Sequence, residues 1–162
     1  MNAETSPAAV RVRIRNFSRS LPMTLLTARE AVMSGFQSVL RRADLTEQQW
    51  RVLYILGFER EIEATALAEA TCLLPPSLSR ILRDLEARGL VTRHPAPEDR
   101  RRSLVSASAA GRETAATIAP EIEAVHAALV ERFGHDRMEE LQRLLKMLDD
   151  TVEHANGKNL TR

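Results

Sequence analysis

Residues 74–111 constrain the fold of this chain most strongly, because they join three structural signals without spacers. Pro75 and Pro76 suit the first turn of a helix, where a missing N–H costs nothing. Apolar residues then recur at helical spacing and form one face: Leu78, Ile81, Leu82, Leu85 and Leu90. Gly89 stands where a glycine C-cap is expected. The pattern predicts a helix that begins near Pro75 and ends near Gly89.

Two short β-prone runs follow this helix, at residues 90–94 and 103–106. They flank a turn-rich loop, residues 95–102, that carries three consecutive arginines behind Asp99. A helix fits the major groove of DNA, and arginines on a thin loop can reach a narrow minor groove. The sequence therefore predicts a winged helix, in which a helix is followed by a two-stranded ribbon with a basic tip.

This segment resembles the winged helix-turn-helix of the multiple-antibiotic-resistance regulator (MarR) family. The family's wing pattern is roughly D-x-R followed by L-T-x-x-G, and it stands here as Asp99-Arg100-Arg101 and Ala107-Ser108-Ala109-Ala110-Gly111. The L-T pair has become Ala-Ser, which we expect to weaken the packing of the wing on the next helix more than DNA contact. The resemblance covers most of the chain and implies a mainly α fold with a small β-wing, namely a winged helix-turn-helix with long N- and C-terminal dimerisation helices.

The predicted DNA-binding residues lie on the outward side of the helix and on the wing. They are Pro76, Ser77, Ser79, Arg80, Arg83, Asp99, Arg100, Arg101 and Arg102. Ser77 and Ser79 can bond to phosphates or bases, and Arg80 is long enough to reach a guanine edge. The alternative is ordinary surface polarity on an exposed helix face, and the adjacent wing favours the DNA interpretation.

The other segments predict helices on both sides of this module. A capping box, Thr46 with Gln49, predicts a helix start, and a short alanine-rich helix is expected over residues 63–70. Ser108 is expected to cap a helix that runs to Phe133, with a kink or break near Ala119 because proline follows. We predict an N-terminal arm over 1–21 and a single MarR-type domain over 22–162, with the winged helix-turn-helix at about 45–107 and dimerisation helices at about 22–42 and 108–154.

Long amphipathic helices exceed what a compact DNA-binding module needs to cover its core. They predict a homodimer, and a two-fold protein suits a near-palindromic double-stranded operator. The formal net charge is only +1, but residues 80–102 hold seven basic and four acidic residues. Positive charge is therefore concentrated where a local DNA footprint requires it.

Several classes of protein are disfavoured by the sequence. There is no apolar run of membrane-spanning length and no signal-peptide core, so a cytoplasmic protein without membrane association is expected. The four histidines are scattered, and no phosphate loop, nucleophile elbow or carboxylate pair is present. We therefore expect no enzyme activity, no cofactor and no metal site.

A finer resemblance lies in three runs, residues 15–23, 29–33 and 45–53, which are similar to the subgroup that regulates homoprotocatechuate (4-hydroxyphenylacetate) degradation operons. This similarity implies a repressor that a small aromatic acid releases from DNA. Arginines could neutralise the carboxylate and apolar residues could line a slot; the candidates are Arg15, Arg19, Met23, Arg29, Phe36, Trp50 and Arg51. Each also has a packing or surface interpretation: Trp50 suits a core position, and Arg29 can snorkel to water.

Other interpretations stay open at this point. A MarR-type regulator could respond to another phenolic compound, or to an oxidant at Cys72, although we expect Cys72 to be a small buried hydrophobe. The chain could also be a ligand-independent DNA-binding protein with weak sequence preference. A third alternative is a protein–protein adaptor, which would show no salt-dependent DNA binding.

Overall fold

The computed structural model describes residues 20–99 and 101–159, and side chains as far as residue 154. The elements are α1 (Leu21–Arg42), α2 (Glu47–Phe58), β1 (Ile62–Glu63), α3 (Ala64–Ala70), α4 (Pro75–Ala87), β2 (Val91–Pro95), β3 (Ser103–Ala107), α5 (Ala109–Phe133) and α6 (His135–Asn159). The predicted class, mainly α with a small β-wing, is confirmed. The chain divides into two compact units at Ala119 and Pro120, and each is described by itself.

The core of the first unit lies between α2, α3, α4 and the sheet. Its most deeply buried side chains come from all four: Val52, Leu53, Leu56, Leu67, Leu82, Leu85, Val91 and Val105. In α2 and α4 these positions recur at helical spacing, and in β3 the buried Val105 and Ala107 alternate with less buried residues, so each of these elements has one apolar side to bury. The core therefore fixes which side of α4 faces outward.

The sheet is antiparallel, with strand order β1-β3-β2. In the wing, Val91 pairs with Ala107 and Pro95 pairs with Ser103. Strand β1 was not expected, because Glu63 was predicted to begin the short helix; instead Glu63 pairs with Leu104 of β3 and also precedes the first residue of α3. A two-residue strand shows no periodicity in sequence, since it is held by the free edge of β3 rather than by its own pattern.

Helix α2 begins with the predicted capping box. The Gln49 backbone N–H donates to Thr46 Oγ1 over 3.2 Å, and Gln49 Oε1 accepts from the Thr46 backbone N–H over 2.8 Å. Both orphan groups at this helix start are therefore satisfied by side chains.

The end of the wing is joined to α5 by hydrogen bonds of the Ser108 side chain and backbone. Ser108 Oγ accepts from the Gly111 N–H over 3.0 Å, as expected of a helix cap, and donates to the Gly89 carbonyl over 2.6 Å. The Ser108 N–H donates to the Leu90 carbonyl over 3.0 Å. A Cβ on Gly111 would lie 1.9 Å from that Leu90 oxygen, so this joint accepts only glycine.

The second unit comprises the rest of α5 and helix α6. Helix α5 runs through Pro120, so of the two outcomes expected near Ala119 the break is wrong, while the kink stays a prediction. Proline removes only one N–H from the helix, and the flanking turns can keep their own hydrogen bonds. Gly134, with φ of +100°, ends α5 and donates to the Val130 carbonyl over 2.8 Å. Among the described helices, none is long and apolar enough to cross a membrane.

Candidate nucleic-acid interface

A helix-turn-helix is formed by α3, the turn at residues 71–74 and α4. Thr71 is buried, and its Oγ1 donates to the Leu67 carbonyl over 2.6 Å. The N–H of Cys72 donates to Glu69 O over 3.0 Å while Cys72 itself has φ of +51°. These contacts close α3 and set the direction in which α4 departs.

Helix α4 buries Leu78, Leu82 and Leu85 and turns its polar side to solvent. The predicted DNA-binding residues of this helix are all exposed: Pro76, Ser77, Ser79, Arg80 and Arg83. Arg83 Nε donates to the Ser79 carbonyl over 3.3 Å, which holds its stem along the helix. The exposed side of α4 therefore carries polar side chains of the kind that a recognition helix needs.

A cavity of about 710 Å³ lies beside this surface, between α4 and the first turn of α2. Its lining from α4 includes Ser77, Arg80 and Asp84, and its lining from α2 includes Gln48 and Gln49. The cavity gives Arg80 open space on the side that faces α2.

The wing tip is organised by Asp99. Its Oδ1 accepts from the Arg101 backbone N–H over 3.0 Å and from Arg101 Nε over 3.2 Å. The backbone hydrogen bond, followed by the side-chain one, lowers the pKa of the Asp99 carboxyl below its usual value. The Arg101 side chain is 92% exposed, so it remains available to a phosphate or a groove. Arg100, also predicted to bind DNA, lies outside the described residues.

Arg102 has a partner within the protein. It forms an ion pair with Glu63 of β1, and that hydrogen bond raises the pKa of Arg102 and lowers the pKa of Glu63. This pair ties the base of the wing to the first strand of the sheet. The described wing residues that are predicted to bind DNA thus all have partners within the protein, but the Arg101 side chain, which pairs with Asp99, is much more exposed than that of Arg102.

A second contact, between His94 of β2 and Glu61, was not predicted from the sequence. His94 Nδ1 donates to the Pro95 carbonyl over 3.2 Å, and Nε2 pairs with the Glu61 carboxylate. The hydrogen bond to Pro95, and then the one to Glu61, raise the pKa of His94 above its usual value. No sequence signal links these two residues, because the short strand β1 that brings Glu61 close has no pattern of its own.

Of the predicted ligand residues that are described, Arg29 of α1 and Arg51 of α2 both approach Glu47. Arg29 pairs with Glu47 and also with Glu30, at 2.7 Å, so its guanidinium already faces carboxylates of this chain. The pKa of Arg29 is raised by the hydrogen bond and charge of Glu47. Met23 and Phe36 are half-buried, and Arg15 and Arg19 lie outside the described residues.

Arg51 and Trp50 follow on the first turns of α2. Arg51 Nη1 donates to the Thr71 carbonyl over 2.7 Å, and Nε lies 3.8 Å from Glu47 Oε1. Arg51 Nε is buried and donates no hydrogen bond within the described part of the chain. Trp50 is buried, as core packing requires, and its ring centroid lies 5.4 Å from that of Tyr54. Arg29, Glu47 and Arg51 therefore form one cluster, while Trp50 packs inward.

Cys72 is exposed, so the expectation of a small buried hydrophobe is wrong. The left-handed backbone at this position turns its side chain away from the core, which Leu67 and Thr71 fill instead. Within residues 20–99 and 101–159, no group of three or more histidine, cysteine or acidic side chains is arranged to hold a metal ion.

The chain is similar to known regulators of transcription. Residues 45–103 match the model of the MarR family. The chain is 35% identical over 138 residues to the HTH-type transcriptional regulator FarR of Neisseria gonorrhoeae, covering 85% of this chain and 94% of that protein. It is 36% identical over 127 residues to the homoprotocatechuate degradative operon repressor of Escherichia coli, covering 78% and 86%. These relatives are regulators of transcription, not enzymes.

A solved structure extends the comparison to a ligand. The crystal structure of NadR in complex with 4-hydroxyphenylacetate superimposes with a TM-score of 0.69 and 36% sequence identity. The match covers 80% of this chain and 92% of NadR.

Proposed function

The chain belongs to the MarR family of transcriptional regulators, and on that basis we propose that it is a dimeric repressor of an aromatic-acid catabolic operon, released from its operator by a small aromatic acid. The family resemblance seen in the sequence is thereby confirmed. One observation carries the DNA part of the proposal: the exposed polar side of α4 and the projecting Arg101 belong to one compact unit and are both turned to solvent. A helix for the major groove and a basic wing for the backbone or minor groove are then available together.

We assign base contact to Arg80 and phosphate contact to Ser77, Ser79 and Arg101. Arg80 is exposed on the early part of α4, where a recognition helix meets base edges. Arg101 extends from a turn that Asp99 holds in place, so the wing loses little conformational freedom on binding. Asp99 and Arg102 support the wing through their partners rather than by contact with DNA.

Dimerisation is supported by apolar side chains that each unit leaves exposed. In the first unit, α1 exposes Leu21, Leu25, Leu26 and Val32, and in the second, α6 exposes Leu141, Leu144, Leu145, Met147 and Val152. Burying such surfaces is favourable by roughly 25 cal/mol per Å². We expect light scattering to give the mass of two chains, and Leu145→Glu on α6 to lower that mass at micromolar protein. The control is Lys146→Glu: Lys146 is 80% exposed on the side of the same helix that faces away from these apolar residues, and the variant is expected to stay dimeric. A monomer for the unaltered protein would refute this part of the proposal.

The effector site that we propose is the cluster of Arg29, Glu47 and Arg51. Within the described residues the charges there are balanced, since Glu30 and Glu47 face Arg29 and Arg51. A ligand carboxylate would take the place of Glu47 on Arg29, or accept from the unsatisfied Arg51 Nε, and so change how α1 meets α2. The NadR complex supports an aromatic acid as the ligand class, because a relative of similar fold binds 4-hydroxyphenylacetate.

Fluorescence anisotropy on DNA from the gene's own upstream region tests the proposal. We expect nanomolar binding that weakens about 5- to 150-fold in saturating 4-hydroxyphenylacetate or homoprotocatechuate, the range of a typical allosteric coupling. Arg29→Ala should raise the acid concentration needed for release, whereas benzyl alcohol, which lacks the carboxylate, should release nothing. Tight binding that no aromatic acid weakens would remove the effector from the proposal, and absence of salt-dependent binding would remove the operator.

A further inference from the structure

Gln49 is one of two buried polar side chains in the described part of the chain, and it uses both ends of its amide. Its Oε1 accepts from the Thr46 backbone N–H over 2.8 Å, completing the cap of α2. Its Nε2 donates to Asp84 Oδ2 over 2.6 Å, and Asp84 lies on the recognition helix α4. One side chain therefore connects the start of α2 directly to the helix that is turned toward DNA.

The two residues joined by this hydrogen bond border two open cavities. Cavities of about 710 and 370 Å³ are both lined by Gln49 and Asp84. The opposite side of α4 contacts the core through leucines, which fix how deeply the helix is buried. Because apolar contacts are not directional, they still allow small rotations of the helix. A charged hydrogen bond is directional, so it can set the orientation that the leucines leave free.

The position of Asp84 makes this orientation relevant to Arg80. The two residues are four apart on α4, so they lie on the same side of the helix, one turn from each other. Both also line the larger cavity. A tilt or rotation of α4 about the Asp84 contact therefore displaces the Arg80 guanidinium.

We propose that Gln49 is a positioning residue for DNA recognition: its hydrogen bond to Asp84 fixes the orientation of α4 and hence the approach of Arg80 to base edges. The inference rests on the proposed function. It assigns to Gln49 an effect on discrimination between operator and other DNA, because a misplaced recognition helix loses base contacts while phosphate contacts persist.

The test uses Gln49→Glu in the full chain, with operator and non-specific duplexes of equal length. The glutamate keeps the oxygen that caps Thr46 but places a carboxylate against Asp84. At pH 7.5 we expect operator affinity to fall about tenfold, the effect of losing a hydrogen bond to a charged group, with a smaller change on non-specific DNA. The matched control is Gln48→Glu, which adds the same charge beside the same cavity and should leave the ratio of the two affinities unchanged.

A reciprocal exchange and a pH series separate positioning from simple loss of stability. Gln49→Glu combined with Asp84→Asn restores a donor and an acceptor with their order reversed, and should recover the wild-type ratio. In Gln49→Glu alone, lowering the pH allows the two carboxylates to share a proton, so the ratio should recover as the pH falls. The neighbouring charges are Arg88, 3.9 Å from Asp84, and Asp44, with Arg41 and Arg80 lining the two cavities. Each variant is compared with the wild type at the same pH. The effect of these neighbouring charges, which is common to both proteins, then cancels.

The outcomes are distinct. If the wild type shows no preference for the operator, both the proposed function and this inference fail. If it does, an unchanged ratio in Gln49→Glu, or no recovery in the double variant, overturns the inference alone. Should Gln49→Glu not fold, Asp84→Ala removes the same hydrogen bond from a half-exposed position, and a preserved ratio there would equally overturn it.

Discussion

Gly111→Ala is expected to destabilise the folded chain by about 3 kcal/mol, the upper part of the usual range for overpacking. The added Cβ would lie 1.9 Å from the Leu90 carbonyl oxygen, a backbone atom that cannot rotate away as a side chain would. That oxygen also accepts the Ser108 N–H, so moving it disturbs the joint between the wing and α5. Denaturant unfolding followed by circular dichroism measures the change as a lower midpoint.

Gly57→Ala is the matched control for this substitution. Gly57 lies in the last turn of α2, and nothing lies within 4 Å of a Cβ placed there. The same chemical change should therefore stabilise the protein by about 0.5–1 kcal/mol, because alanine is the better helix former. Equal midpoints for the two variants would contradict the close approach of Gly111 to Leu90.

Arg80→Ala is expected to weaken operator binding by about 1–3 kcal/mol and to relax preference at one base position, as loss of a bidentate base contact does. Arg101→Ala should instead weaken binding to all sequences alike and reduce the salt slope by about 1. Because the backbone N–H of residue 101 still donates to Asp99, the turn should survive the loss of the side chain. Titrations of operator and base-substituted duplexes at several salt concentrations distinguish the two effects.

Lys146→Ala supplies the control for charge. It removes one positive charge from α6, outside the winged helix, and should change neither base preference nor salt slope measurably. If Arg80→Ala behaved like Lys146→Ala, the assignment of α4 as the recognition helix would be wrong. A sequence-dependent loss for Arg101→Ala would likewise contradict its role as a phosphate contact.

The sequence predicted the elements whose signals are local. Three such signals act within a few residues: the capping box of Thr46 and Gln49, the double proline at the start of α4, and the cap made by Ser108. Their patterns can therefore be recognised without knowing the fold. The arginine run of the wing was equally visible. The resemblance to the MarR family then supplied the arrangement of these parts, which spacing alone does not determine.

What the sequence did not predict depends on contacts between distant residues. Strand β1 exists because β3 has a free edge, and the pairs it creates, Glu63 with Arg102 and Glu61 with His94, have no periodic signature. The sequence indicates that Gln49 is half of a capping box, but it gives no sign of the second hydrogen bond, which Gln49 makes to Asp84, 35 residues away. The exposed position of Cys72 follows from a backbone angle that composition does not reveal.

The exposed thiol of Cys72 offers one defined site for attaching a spectroscopic label. The sequence contains a single cysteine, on the turn between α3 and α4, so one nitroxide or dye per chain can be attached without removing other thiols. The turn is held by hydrogen bonds from Cys72 to Glu69 and from Leu73 to Ala68, and a label there moves with the start of the recognition helix. In a dimer, the distance between two such labels would read the separation of the recognition helices directly, with and without DNA or an aromatic acid.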